Sequence, residues 1–168
     1  MTDENFEPRI IAFLCWKWGY GACDMAGTIR AQYPTSIRPV RIMCTARVSS
    51  DMIMRAFNKG ADGIIIGGWH VGECDYVHGN LYARNLVFYI QDILETMVGK
   101  EERERIQMMF FSAAEGERFR QMTTKMDQTI RRLGPSKIRL YQQDAAVKAA
   151  AKAAAKAAKA KEKSVTGK

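Results

Sequence analysis

The 168-residue sequence predicts a single α/β domain built around a parallel sheet. Short, continuous apolar runs recur along the chain, as expected for strands that are buried on both faces. Each run is followed by a segment whose apolar residues repeat with helical spacing. Strands that alternate with helices form parallel sheets with right-handed crossovers. We therefore expect a flavodoxin-like or Rossmann-like sheet with helices on both faces.

The first half of the chain holds three of the expected strands. The run IIAFLC, from Ile10 to Cys15, predicts the first strand. A polar, glycine-bearing loop follows it, and then a helix over Asp24 to Gln32 that Pro34 ends, because proline cannot continue a helix. VRIMC, from Val40 to Cys44, predicts a second buried strand, and GIIIGG, from Gly63 to Gly68, predicts a third.

Polar caps and a glycine delimit the helices in the middle of the chain. Ser49 or Ser50 is the expected N-cap of a helix that stops at Gly60, before the third strand. Asn80 is the expected cap of a long helix that follows the third strand. IQMMFF, from Ile106 to Phe111, predicts the fourth strand.

The end of the predicted domain is marked by a helix breaker. The last helix continues to Leu133 and ends at Gly134-Pro135. The sheet then has four strands in the order 2-1-3-4, and a fifth strand around Lys137 to Tyr141 is left open. We expect one domain over residues 8–140 and a low-complexity Ala/Lys tail over residues 141–168.

The net charge of +8 comes mostly from that tail. The last 28 positions contain seven lysines and two acidic residues, which leaves residues 1–140 with a net charge of only +3. The Ala/Lys repeat predicts a solvated, fraying helix, and a non-specific electrostatic contact is the alternative. It has no interleaved aromatic residues for base stacking, so specific nucleic-acid binding is not expected. An acidic start and the absence of a run of ~18 apolar residues predict a cytoplasmic protein without a membrane span.

Three of the four cysteines recur at the ends of successive expected strands. Cys15, Cys44 and Cys74 lie 29 and 30 residues apart, about one strand–helix unit. In the order 2-1-3-4 these strand ends are neighbours at the edge where doubly wound folds bind ligands. Cys23 lies in the first of these loops or at the start of its helix. The pattern indicates a metal or iron–sulfur site, while a zinc site and inert buried cysteines remain alternatives.

Several motifs surround these cysteines in a fixed order. They are CWKWGY (15–20), DMAGT (24–28), QYP (32–34), MCTARV (43–48), GADG (60–63), GWHVGECDY (68–76), GN (79–80) and SAAEG (112–116). Over roughly residues 8–135, this set resembles the delta, iron–sulfur subunit of methyl-viologen-reducing hydrogenase. The resemblance implies an electron-transfer protein with a 2Fe–2S cluster. It further implies an anaerobic, cytoplasmic complex that connects a hydrogenase or formate dehydrogenase to the flavin subunit of a heterodisulfide-reductase-like enzyme.

The chain departs from the family pattern at two positions. Trp18 and Trp69 stand where the family usually has cysteines. Three strand-end cysteines match family cysteines, and a fourth thiolate would have to come from elsewhere in the chain. The expected cluster ligands, which are also the expected metal ligands, are therefore Cys15, Cys44, Cys74 and, as the fourth, Cys23.

Other ligand sets and other functions remain open from the sequence. His70 or His78 could replace one thiolate, which would raise the reduction potential. A cluster-free module that docks in the same kind of complex is one alternative function, and a flavin-binding, flavodoxin-like carrier is another. No catalytic residues are expected, because electron transfer requires no bond chemistry from the protein.

Overall fold

The structure, a computed structural model, describes residues 6–145 and 148. Its centre is a four-stranded parallel sheet in the order β2-β1-β3-β4. The strands are β1 (Ile10–Cys15), β2 (Ile37–Ile42), β3 (Gly63–Gly68) and β4 (Ile106–Phe110). The predicted α/β class, the parallel pairing and the strand order 2-1-3-4 are thus confirmed.

Four helices cover the two faces of the sheet. They are α1 (Gly19–Thr28), α2 (Ser50–Asn58), α3 (Gly79–Met97) and α4 (Gly116–Leu133). One apolar core lies between the sheet and α1 and α4, and a second lies between the sheet and α2 and α3. Both faces of the two central strands are therefore buried, which explains their continuous apolar runs.

The position of β2 differs from the prediction. It runs over Ile37–Ile42 rather than Val40 to Cys44, and it is an edge strand rather than a buried one. Pro39 lies within it and Val40 is 39% exposed. An edge strand tolerates proline, because one row of its backbone groups needs no partner strand. Cys44 consequently lies two residues beyond the strand, still at its carboxyl end.

Two predicted helix starts are wrong and one is confirmed. The first helix begins at Gly19 rather than after a loop at Asp24, and it ends at Thr28. Asn80 lies inside the first turn of α3, which has His78 as its N-cap residue. Ser49 caps α2 as predicted, since its hydroxyl accepts the Met52 N–H at 3.2 Å.

The segment considered as a fifth strand is helical over residues 137–145. The Ser136 N–H donates to Asp62 Oδ1 at 3.0 Å, and Arg139 Nη1 lies 2.6 Å from Asp62 Oδ2. A carboxylate at the start of a helix satisfies free N–H groups there and opposes the helix dipole favourably. Beyond residue 145, apart from Lys148, the predicted tail lies outside the described residues. None of the described helices has the length and apolarity needed to cross a membrane.

Candidate functional site

A small pocket lies where the chain leaves the carboxyl ends of β1, β2 and β3. Cys15 is the last residue of β1, Cys44 follows β2, and Cys74 lies in the loop between β3 and α3. All three cysteines line this pocket, together with Trp18, Trp69 and other residues of the same loops. The strand order 2-1-3 brings these sulfurs together because the three strands are direct neighbours.

Gly79 leaves space for two of the sulfurs. A Cβ atom at this position would lie 2.7 Å from Cys44 Sγ and 3.3 Å from Cys74 Sγ. The first distance is shorter than van der Waals contact allows, so any side chain here would displace the sulfur. The start of α3 thus forms a cradle in which the sulfurs of Cys44 and Cys74 lie side by side.

The third sulfur lies at the start of α1. The Gly19 N–H donates to Cys15 Sγ at 3.2 Å, which places a positive helix end against this sulfur. Burial nevertheless raises the pKa of the Cys15 thiol, and the N–H groups of Gly19 and Trp18 offset only part of that effect. Burial likewise raises the pKa of Cys44. Both thiols therefore stay protonated at neutral pH unless a cation stabilises their thiolates.

Cys23 lies apart from the other three cysteines. It is on α1 and belongs to the core between the sheet and α4. Its sulfur lies 3.4 Å from the hydroxyl of Tyr33, and it is not among the residues that line the pocket. The structure therefore brings together three of the four cysteines that the sequence singled out.

Two stacked indoles close the pocket. The ring centroids of Trp18 and Trp69 are 3.4 Å apart, and the ring planes differ by 26°. Trp18 Nε1 donates to Asp75 Oδ2 at 3.0 Å, and Lys17 Nζ pairs with Asp75 Oδ1 at 3.0 Å. The free space left beside the thiols is about 20 Å³, enough for a single water molecule. The sequence singled out both tryptophans, as residues at positions where the family usually has cysteines, but not Asp75, whose only signal is that it directly follows Cys74.

The two histidines do not line the pocket. His70 Nε2 lies 2.7 Å from Glu115 Oε2, which also accepts the Ser112 N–H at 2.6 Å. Burial acts to raise the pKa of Glu115, but these hydrogen bonds and the His70 ring hold it below its usual value. His78 is the N-cap residue of α3. His70 thus joins two loops beside the pocket, and Asn80 holds the same loop through bonds to the carbonyl oxygens of Trp69 and His70.

The three thiols match the chemistry of an iron–sulfur group but fall short of its usual ligand number. Thiolates are the ligands that such clusters prefer, and a 2Fe–2S cluster is typically held by four. Within residues 6–145, no three His, Cys, Asp or Glu side chains converge on the position of a single metal ion. A binuclear cluster binds its ligands in two pairs, so convergence on one point is not required. The Gly79 cradle, which holds two sulfurs together, is the feature that favours such a group.

Known proteins are similar to this chain over the region that contains the pocket. The family described as methyl-viologen-reducing hydrogenase, delta subunit, matches residues 10–134. The iron-sulfur subunit of the vhu F420-non-reducing hydrogenase of Methanocaldococcus jannaschii is 41% identical over 134 residues, which are 79% of this chain and 98% of the relative. The iron-sulfur subunit of the vhc F420-non-reducing hydrogenase of Methanococcus voltae is 40% identical over 136 residues, 81% of this chain and 93% of the relative.

The same region also matches part of a longer protein. One chain of the ferredoxin:CoB-CoM heterodisulfide reductase of Methanosarcina mazei is 36% identical over 128 residues, which are 76% of this chain but 16% of the relative. The domain therefore occurs both as a separate subunit and as a segment of a reductase chain. On the match across residues 10–134 and these identities, the chain belongs to the family of the methyl-viologen-reducing hydrogenase delta subunit.

Proposed function

We propose that the chain is an electron-transfer subunit that holds a 2Fe–2S cluster with Cys15, Cys44 and Cys74 among its ligands. The observation that carries the proposal is that these three thiols line one pocket, two of them beside Gly79. The names of the related iron-sulfur subunits support an iron–sulfur group. Cys23, whose sulfur lies against Tyr33 in the core between the sheet and α4, is proposed to be structural.

The residues around the thiols have separate parts in this function. The cluster, when bound, supplies reversible one-electron transfer. The Gly19 N–H donates to Cys15 Sγ and so stabilises its thiolate. Trp18 and Trp69 exclude water from the thiols, and their stack must shift to admit a group larger than one water molecule.

The proposed partners are a hydrogenase and the flavin subunit of a heterodisulfide reductase, with formate dehydrogenase as an alternative electron donor. The relatives' names support a hydrogenase as partner. The match to a segment of a heterodisulfide reductase chain supports a heterodisulfide reductase as partner. Large apolar side chains are exposed around the pocket, as in protein interfaces: Trp16, Met43 and Tyr76. We further propose that the complex works in an anaerobic cytoplasm.

The test is anaerobic purification followed by analysis of iron, acid-labile sulfide and the visible spectrum. About two irons and two sulfides per chain are expected, the stoichiometry of a 2Fe–2S cluster. The variant Cys44→Ser is expected to lose most of the iron, whereas the matched control Cys23→Ser keeps it. A colourless, iron-free protein that also fails to take up iron and sulfide would contradict the proposal.

A second candidate function is a cluster-free docking module in the same kind of complex. The Trp18–Trp69 stack favours it, because these side chains fill the pocket where further thiolates would be needed. An iron-free chain that still co-purifies with the reductase would support this function. Yellow flavin released on heating would instead support a flavin carrier.

A further inference from the structure

The pocket offers three thiols to a group that is typically held by four protein ligands. A fourth ligand from this chain would be another side chain at the same pocket. Among the described residues that line it, Asp75 is the only carboxylate. His70 is engaged with Glu115, and the sulfur of Cys23 lies against Tyr33.

Asp75 is held at the mouth of the pocket by two hydrogen bonds. One oxygen accepts the Trp18 indole N–H and the other pairs with the Lys17 ammonium, both at 3.0 Å. Asp75 lines the same pocket as Cys15, Cys44 and Cys74.

One oxygen of Asp75 can be released at little energetic cost. The side chains of Lys17 and Asp75 are 46% and 38% exposed, so water screens their ion pair and the pair contributes little to stability. The bond from Trp18 can persist while the freed oxygen turns into the pocket. A ligating carboxylate that accepts such a bond from a neighbouring side chain is held in place, as is usual around metal sites.

We propose that Asp75 is the fourth ligand that would hold the cluster, together with Cys15, Cys44 and Cys74. This inference rests on the proposed function and adds to it an oxygen ligand from this chain. Trp18, at a position where the family usually has a cysteine, is then a positioning residue, since it holds the carboxylate through its N–H.

The test is anaerobic reconstitution of the full chain with ferrous iron and sulfide. Asp75→Asn is expected to bind less than about half of the wild-type iron and sulfide, because a neutral amide is a much weaker ligand. Asp75→Cys is expected to keep both and to shift the visible absorption to longer wavelength, because a thiolate replaces an oxygen ligand. The matched control is Glu73→Gln, an exposed carboxylate two residues away that does not line the pocket.

The outcomes separate this inference from the proposed function. If Asp75→Asn has the iron and sulfide content and the visible spectrum of the wild type, the role of Asp75 is overturned and the iron–sulfur function stays intact. An unchanged spectrum in Asp75→Cys would overturn it as well. Failure of the wild-type chain to bind iron would contradict the proposed function itself. Circular dichroism of the iron-free variants detects a folding defect, and if Asp75→Asn does not fold, the Asp75→Cys spectrum decides.

Discussion

At the scale of single residues, the indole of Trp18 lines the pocket that holds the thiols. Its ring stacks on Trp69 and leaves almost no space beside Cys15 and Cys44, both of which are buried. We expect Trp18→Ala to increase the alkylation rate of these two thiols by iodoacetamide about tenfold, which equals a loss of ~1.4 kcal/mol of protection. Mass spectrometry of the metal-free protein measures the rate at each cysteine.

The matched control for this prediction is Trp16→Ala. Trp16 lines the same pocket, but it is 47% exposed and is not part of the stack. Its removal is expected to change the alkylation rates by less than twofold, because the stacked rings of Trp18 and Trp69 remain in place. Equal acceleration by both variants would show that the stack does not limit access.

The buried thiols also predict how stability depends on pH. Burial raises the pKa of Cys15, Cys23 and Cys44 in the folded state. The unfolded chain has thiols that ionise near pH ~8.5, so it loses protons before the folded chain does. The stabilisation is therefore complete below that pH and is lost as the pH rises towards the folded pKa values. Urea unfolding of the metal-free protein between pH 7 and 10 should show a falling free energy of unfolding.

A single substitution tests whether thiols cause the fall in the free energy of unfolding at high pH. Cys23→Ala removes one buried thiol that does not line the pocket. Burial is the main reason why the pKa of this thiol is raised. The variant is expected to show a smaller loss of stability between pH 8.5 and 10. A slope as steep as that of the wild type would assign the effect to other groups.

At the scale of elements, the start of α1 depends on a close approach to β3. A Cβ atom at Gly19 would lie 2.5 Å from the carbonyl oxygen of Gly67, and a backbone atom of the central sheet cannot easily move away. We expect Gly19→Ala to destabilise the protein by ~1–3 kcal/mol, the usual cost of overpacking. Chemical denaturation measures it.

Gly27 supplies the matched control on the same helix. A Cβ atom there meets nothing within 4 Å. Gly27→Ala is therefore expected to stabilise the protein by ~0.4–1 kcal/mol, because alanine restricts the unfolded chain and favours helix. If both alanines have the same effect, helix propensity rather than the contact with Gly67 governs α1.

The elements also show how far the sequence predicts this fold. β1 and β3 match their predicted bounds because continuous apolar runs identify strands that are buried on both faces. The prediction for β2 starts three residues and ends two residues too late, because an edge strand has no such run. The contact between Gly19 and Gly67 joins distant parts of the chain, so no local pattern predicts that α1 begins there.

Part of the candidate site could also be predicted from the sequence. Cysteines that follow neighbouring parallel strands must meet at one edge, so the positions of Cys15, Cys44 and Cys74 were accessible from spacing. The separation of Cys23 was not, since it depends on where α1 begins. The bonds of Asp75 to Lys17 and Trp18 depend on side-chain conformations that only the folded loops define.

At the scale of the whole molecule, one buried arginine joins segments that lie far apart in the sequence. Arg105 Nε donates to Glu102 Oε2 at 2.7 Å, and both side chains are 2% exposed. Its guanidinium also donates to the carbonyl oxygens of Asp62 and Gly134, at 3.1 and 2.9 Å. It therefore links the turn before β3 to the end of α4 and to the segment that leads into the final helix.

Replacement of this arginine should destabilise the entire fold. Arg105→Met leaves the Glu102 carboxylate buried without its partner, which typically costs ~3–5 kcal/mol. Adding Glu102→Leu removes the stranded charge and should restore part of the loss, although the carbonyl oxygens of Asp62 and Gly134 stay unsatisfied. Urea unfolding of the two single variants and the double variant measures this coupling.

The control for the arginine prediction is an ion pair on the surface. Arg55 pairs with Asp51 one turn earlier on α2, with side chains that are 77% and 66% exposed. Arg55→Met is expected to change the free energy of unfolding by ~0.5 kcal/mol or less, because water already screens that pair. If Arg105→Met costs no more than Arg55→Met, the domain does not depend on its buried arginine, and the apolar layers on the two faces of the sheet must hold α4 and the final helix in place.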